Sequence, residues 1–132
     1  MPYYLLKASY TGEGWAAQVR NPRNVADRLR PIIESVGGSL DTVFYTFGDF
    51  DIVAICQFPD NMSAGAVSIA AAAGGAVKMH TTTPLMTVDE GMEMMRKACA
   101  AEYRPPGHSV ACKYPGVIQR RVGKRLSWLL RV

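Results

Sequence analysis

Apolar and polar positions change period several times along the chain, and each change predicts an element. Tyr3 to Tyr10 is a run of aromatic and aliphatic residues ended by Thr11-Gly12-Glu13-Gly14, the pattern of a strand and a turn. Trp15 to Arg20 suits a short helical turn. A stronger start stands at Asn21-Pro22, a capping residue before a proline at the first helical position. From there Val25, Leu29, Ile32, Ile33 and Val36 recur on one helical face until Gly37-Gly38 stops it. Pro31 has no N–H to give to the carbonyl of Asp27, so a kink or break is expected near Arg30.

Ser39 to Phe47 and Phe50 to Phe58 are β-rich runs on either side of Gly48-Asp49, which predicts an antiparallel hairpin. Pro59-Asp60-Asn61 ends the second run and caps the next helix. Met62 to Ala73 is dominated by alanine, with Val67 and Ile69 as its larger apolar members, so this helix can approach its support closely before Gly74-Gly75 closes it. Ala76 to Thr83 alternates, with Val77 and Met79 on one side and Lys78, His80 and Thr82 on the other, a half-buried strand bounded by Pro84. Thr87-Val88-Asp89-Glu90 is a capping box, and the helix it opens carries Val88, Met92, Met95 and Cys99 along one face to about Glu102.

The order is strand, helix, strand, strand, helix, strand and an extra helix. It predicts an α+β fold of ferredoxin-like βαββαβ order: a four-stranded antiparallel sheet with both crossover helices on one face. Residues 1–106 make this domain and residues 107–132 a C-terminal tail. The hairpin strands, read as the central pair, are apolar on both sides: Leu40 and Phe44 alternate with Val43, Tyr45 and Phe47, and Ile52, Ala54 and Cys56 with Val53 and Ile55. A sheet wet on one face carries polar residues there, so a cover is expected. A second copy supplies one, giving a homodimer of dimeric α/β-barrel type; the chain's own last helix is the rival cover.

The run Phe47-Gly48-Asp49-Phe50-Asp51-Ile52-Val53, preceded by Glu34-Ser35-Val36-Gly37-Gly38 and followed by Pro59-Asp60-Asn61, resembles the GYD family of small bacterial proteins from about Tyr3 to Pro106. Gly48 and Asp51 match the naming motif, and Phe50 stands where tyrosine is usual. The resemblance implies a short stand-alone ferredoxin-like domain and no particular activity. The tail lies outside it.

Composition narrows the classes further. The chain has 132 residues, 48% hydrophobic and 20% charged, which is globular, and no run approaches the ~20 apolar residues of a bilayer helix. The N-terminus reads as a strand and not as a signal peptide. Cys56, Cys99 and Cys112 are widely spaced with no C-x-x-C, which predicts small buried thiols, a reducing cytoplasm and no zinc site. The net charge of +4 comes from the tail, where Lys113, Arg120, Arg121, Lys124, Arg125 and Arg131 stand with no acid; the body is mildly acidic, against nucleic-acid binding.

Gly48, Asp49, Phe50 and Asp51 read as turn chemistry at a hairpin tip, with Asp51 accepting from local N–H groups; the alternative is a paired-carboxylate acid/base or cation site. Lys78 and His80 share a strand face with Lys7 and Ser9 nearby, and Tyr45 is available to line the same space. A pocket there would favour neutral His80 as the base of a cofactor-free monooxygenase- or isomerase-like reaction on a small organic molecule, an analogy from fold alone. The plain reading is a solvated strand edge. Neither a nucleotide motif nor a histidine cluster is present, so no cofactor and no metal are expected.

Val117, Ile118, Val122, Leu126, Leu129 and Leu130 alternate with the tail's cations, and Trp128 stands near its end. This spacing suits a basic amphipathic helix. Arg120, Arg121, Lys124, Arg125, Trp128, Leu129 and Arg131 are its candidates for docking on a larger protein assembly or an anionic membrane surface. The leading reading is a small dimeric ligand-binding or accessory module, more a binding protein than an enzyme.

Overall fold

The opening aromatic and aliphatic run forms β1 (Tyr3–Tyr10), which lies in the interior of a four-stranded sheet. The structure is a computed structural model and describes residues 1–103 and 106–107. After β1 come α1 (Gly12–Arg20), α2 (Val25–Ser35), β2 (Ser39–Tyr45), β3 (Ile52–Gln57), α3 (Asn61–Ala73), β4 (Val77–Leu85) and α4 (Val88–Ala100). The strand order is β2-β3-β1-β4 with every neighbouring pair antiparallel, the expected α+β plait. The sheet and first three helices form one compact unit, Met1–Leu85, and α4 belongs to a second that begins at Met86. No helix among the described residues is long and apolar enough to cross a membrane.

Pairing sorts the side chains of the sheet. Tyr4, Leu6 and Ala8 of β1 stand opposite Cys56, Ala54 and Ile52 of β3, all on one face. That face meets Leu29, Ile32 and Ile33 of α2, its C-cap Val36, and Ala64 and Val67 of α3 to make the core. Phe58 and Ile33 are fully buried there, and the Phe58 ring meets Tyr4 edge-on at 5.5 Å. The alanines of α3 let it sit close to the sheet, close enough for Ser68 to hydrogen-bond Thr82 of β4. Asp60 caps that helix by accepting from the Ser63 N–H at 2.8 Å, and this bond holds its carboxyl below the usual carboxylate range.

Several local expectations give way to longer-range bonding. Helix α1 begins at Gly12 because the Thr11 hydroxyl accepts from the Gly14 N–H at 3.0 Å, and Asn21 sits at its C-terminus instead of opening the next helix. Asn24 caps α2, accepting from the Ala26 N–H at 2.9 Å. Helix α2 runs through Pro31 without the expected break; Pro31 is exposed, so water can satisfy the carbonyl that it frees. β4 likewise includes Pro84, which an edge strand tolerates. β2, read as central, is the other edge, and an irregularity between Leu40 and Thr42 puts Leu40 and Val43 on the same core face.

The end of α2 is fixed sterically as well as by hydrogen bonds. Gly37 has a φ of +81°, and Gly38 donates to the Ile33 carbonyl at 3.0 Å. A Cβ on Gly38 would fall 2.7 Å from the Gln57 carbonyl oxygen, so only glycine lets the chain turn this tightly against β3. The capping box of α4 forms as read, with Glu90 N–H donating to the Thr87 hydroxyl at 3.2 Å and Thr87 N–H to the Glu90 carboxylate at 2.8 Å. Cys99 on that helix is disulfide-bonded, contrary to the expectation of three plain thiols. Cys112 lies outside the described residues.

Cys56 is the free, fully buried thiol of β3, and burial pushes it from 9.0 up to about 12. In the window between these values the unfolded chain has lost a proton that the folded one keeps. Stability from this group is therefore complete below pH 9.0 and falls as pH rises towards about 12. A thiol reagent applied at about pH 8 should leave Cys56 unmodified in the native protein and modify it in urea, read by peptide mapping. Equal modification rates in both states would contradict this burial.

Candidate functional site

At the end of β1 the ring of Tyr10 turns toward the helices, and four other segments converge on it. Trp15 in the first turn of α1 packs edge-on against Tyr10 at 5.2 Å and lies 6.3 Å from the ring of Tyr45 on β2. Glycine is required at position 14, since a Cβ there would fall 2.6 Å from the Ala76 carbonyl oxygen; this lets α1 lie against the segment entering β4. From α2, Arg28 Nη2 donates to the Tyr10 hydroxyl at 3.0 Å and to Gln18 Oε1 at 3.3 Å, and the Tyr45 hydroxyl donates to the same Gln18 oxygen at 3.3 Å. Gln18 Nε2 in turn donates to the Gly14 carbonyl at 3.2 Å, which fixes the amide's orientation.

Asp51 locks this corner. Its carboxylate accepts from the Tyr10 backbone N–H at 2.8 Å and from the Trp15 indole at 3.2 Å. Its own N–H donates to the Ala8 carbonyl at 2.9 Å, and its carbonyl accepts from Thr46 at 2.8 Å. The connection from β2 to β3 is consequently a loop closed against β1, where the sequence suggested a two-residue turn. Gly48 within it has a φ of +114°, a left-handed conformation open to glycine. The motif aspartate thus accepts N–H groups, as the turn reading held, but from β1 and α1 and not from its own loop.

A cavity of about 670 Å³ opens beside this cluster. Tyr10, Ala17 and Ala76 give it apolar wall, Gln18, Asn21 and Asn24 give amides, and Arg23, Arg28 and Asp27 line it with charge. Burial raises the Tyr10 phenol above its ordinary value; Arg28 pulls the other way, and Tyr45 and Asp51 add to the rise. The phenol is therefore a neutral hydrogen-bonding group at physiological pH.

The residues singled out in the sequence are dispersed around the sheet. Tyr45 joins the Gln18 network, but Lys7, Lys78 and His80 do not line the cavity. Lys7 pairs with Val53 and Thr81 on the face away from α2 and α3, whereas His80 pairs with Ala8 on the helix-bearing face. The irregularity between Ser9 and Tyr10 is responsible: it seats Val77 beside Tyr10 and still puts Met79 beside Ser9, so the alternation expected for β4 fails at Lys78. Lys7 instead lies over the Phe50 ring, with Nζ 4.6 Å from its centre. Asp49 is exposed, and no cluster of three metal-ligating side chains occurs among the described residues. Arg120, Arg121, Lys124, Arg125, Trp128, Leu129 and Arg131 lie outside them.

Gln18 and Arg28 carry no local signature in the sequence. One sits on α1 and the other on the polar side of α2, and only the tertiary fold brings them to Tyr10. A signal was available in retrospect: Arg28 is an arginine beside the apolar stripe of α2, with no acid at the helical spacings that would pair it.

The family model for the GYD domain matches residues 4–95, well over half of the chain. No curated protein matches it.

Replacing Asp51 by alanine leaves the Tyr10 N–H and the Trp15 indole without their charged acceptor. The expected loss is about 1.5–3 kcal/mol of unfolding free energy in urea, with a smaller loss for Asp51→Asn, which keeps one carbonyl oxygen. Unchanged stability of Asp51→Ala would remove this residue from its anchoring role.

Proposed function

The chain belongs to the GYD domain family, and from that premise we propose that it is a small binding module that associates in pairs, not a catalyst. The observation that carries this reading is the cavity beside Tyr10. Its volume is that of a small-molecule site, and its wall is held in place by the Tyr10–Arg28–Gln18–Tyr45 hydrogen bonds before any ligand arrives. The enzymatic alternative rested on Lys7 and His80 sharing one space, and their opposite faces in the sheet speak against it.

The paired arrangement draws its support from the other face of the sheet. Leu5 and Ile55 pair there at the middle of β1 and β3, Val53 follows, and Phe44 and Met79 are 62% and 44% exposed. Within Met1–Leu85, α2 and α3 pack on the opposite face. A two-fold partner would bury this apolar surface against its own copy and leave both cavities open. The tail, basic and free of acids, supplies the means of attaching the pair to a larger assembly.

Two measurements test the proposal. Sedimentation velocity of the full chain should give twice the monomer mass, and Ile55→Glu, still folded by circular dichroism, should sediment at 14.4 kDa because two-fold symmetry sets like charges close together. A wild-type protein that sediments as the monomer sinks the pairing. Amide chemical shifts of the full chain, titrated with a set of neutral, cationic and anionic fragments, should move around Gln18, Arg28 and Ala76 for at least one class. Their indifference to every class sinks the binding role.

A further inference from the structure

Arg28 is the group in the cavity whose chemistry is incomplete. The acceptors of its Nη2 bonds, the Tyr10 hydroxyl and the Gln18 amide oxygen, are both neutral. The ion pairs formed among the described residues are Arg30–Asp27 and Arg96–Glu93, so no described carboxylate answers the Arg28 charge. Its Nε and Nη1 groups have no acceptor among the described residues. The guanidinium is nonetheless held in one place, by the two Nη2 bonds and by the Tyr10 ring 5.8 Å away.

Tyr10 adds a second donor beside it. The hydroxyl accepts from Arg28, and its own proton has no acceptor among the described residues. A fixed guanidinium and an adjacent unused phenol proton make a pair of donors suited to one anionic oxygen group. Arg23 lines the same cavity and is likewise turned toward a neutral group: with the Asn21 amide oriented to satisfy its neighbours, Asn21 oxygen accepts from Arg23 Nε at 3.1 Å and Nη2 at 3.3 Å. Asp27 opposes them as the carboxylate of the lining, but it lies 3.6 Å from Arg30 Nη1. The balance of charge on the wall is positive.

The volume decides what carries the anion. About 670 Å³ far exceeds an inorganic ion, and Tyr10, Ala17 and Ala76 offer apolar contact to a body several atoms across. The Asn24 side chain already occupies the Ala26 N–H at the start of α2, so that helix end offers a phosphate one donor fewer, whereas the Arg28 and Tyr10 donors match the two oxygens of a carboxylate. Resting on the reading of the cavity as a binding site, we infer that its ligand is a small organic carboxylate with an apolar body, its carboxylate received by Arg28 and the Tyr10 hydroxyl.

Benzoate is the probe, with benzamide as its neutral isostere and inorganic phosphate as the bodiless anion. Titrated into the full chain and followed by amide chemical shifts, benzoate should saturate residues around Tyr10, Gln18 and Ala76, with an affinity about tenfold or more above that of benzamide. Tyr10→Phe, which keeps the ring and removes only the donor, should weaken benzoate several-fold and leave benzamide unchanged; Arg28→Gln should abolish the preference for the anion. If benzamide binds as well as benzoate, or phosphate alone binds, the carboxylate assignment falls and the cavity's binding role stands. If none of the three perturbs the cavity while another fragment does, the assignment falls in the same way.

Discussion

Everything around the cavity depends on where the Asp51 carboxylate is held. One side chain joins the loop between β2 and β3, the last residue of β1 and the first turn of α1, through an amide at 2.8 Å and an indole at 3.2 Å. Hydrogen bonds to an ionised acceptor are about twice as strong as neutral ones, and here the two donors lie far from Asp51 in sequence. The bonds therefore fix tertiary position, not local turn shape. Tyr10 cannot swing away while its amide is engaged, and Trp15 cannot leave the Tyr10 ring. Gln18 follows one turn of α1 later, which brings its amide within reach of Arg28 and Tyr45.

Packing beneath this corner has the same logic. α1 lies near the start of β4 because Gly14 adds nothing between helix and backbone, and Gly38 lets the end of α2 turn closely against β3. The helices are thereby anchored by side chains that are absent as much as by those present. A cavity between α1 and α2 results because the apolar stripe of α2 turns to the sheet, with Val25 and Ile33 buried, while its polar side carries Arg28 and Asp27 toward α1.

The sequence made legible what depends on short-range patterns. Ile52, Ala54 and Cys56 alternate with half-buried neighbours as read, the Thr87–Glu90 capping box forms, and the hairpin pairs antiparallel. The misreadings share a physical cause. Asn21-Pro22 is a sound start signal, but Asn24 lies nearer the buried Val25 and takes the cap. Strict alternation predicted the wrong face for His80, because an irregularity opposite Ser9 and Tyr10 shifts the phase of β4, and such an irregularity leaves no mark in composition. The cavity was invisible for a related reason: Tyr10, Gln18 and Arg28 are unremarkable one by one, and the bonds between them exist only once β1, α1 and α2 are assembled.

The motif loop also links the cavity to the face of the sheet away from α2 and α3. On the helix side Asp51 fixes the wall of the cavity. On the other side Phe50 lies under the Lys7 ammonium at 4.6 Å, and the buried Ser9 hydroxyl donates to the Asp49 carbonyl. A phenol is not needed at position 50 for this contact, since a cation over a phenylalanine face gains about 0.5–1 kcal/mol at a partly exposed site without any hydroxyl. Phenylalanine in the place of the usual tyrosine thus preserves the ring's contact with β1 on the face away from α2 and α3, while the neighbouring aspartate keeps its bonds on the helix face. A shift in this loop moves both surfaces together, because Asp49, Phe50 and Asp51 are anchored at three successive positions.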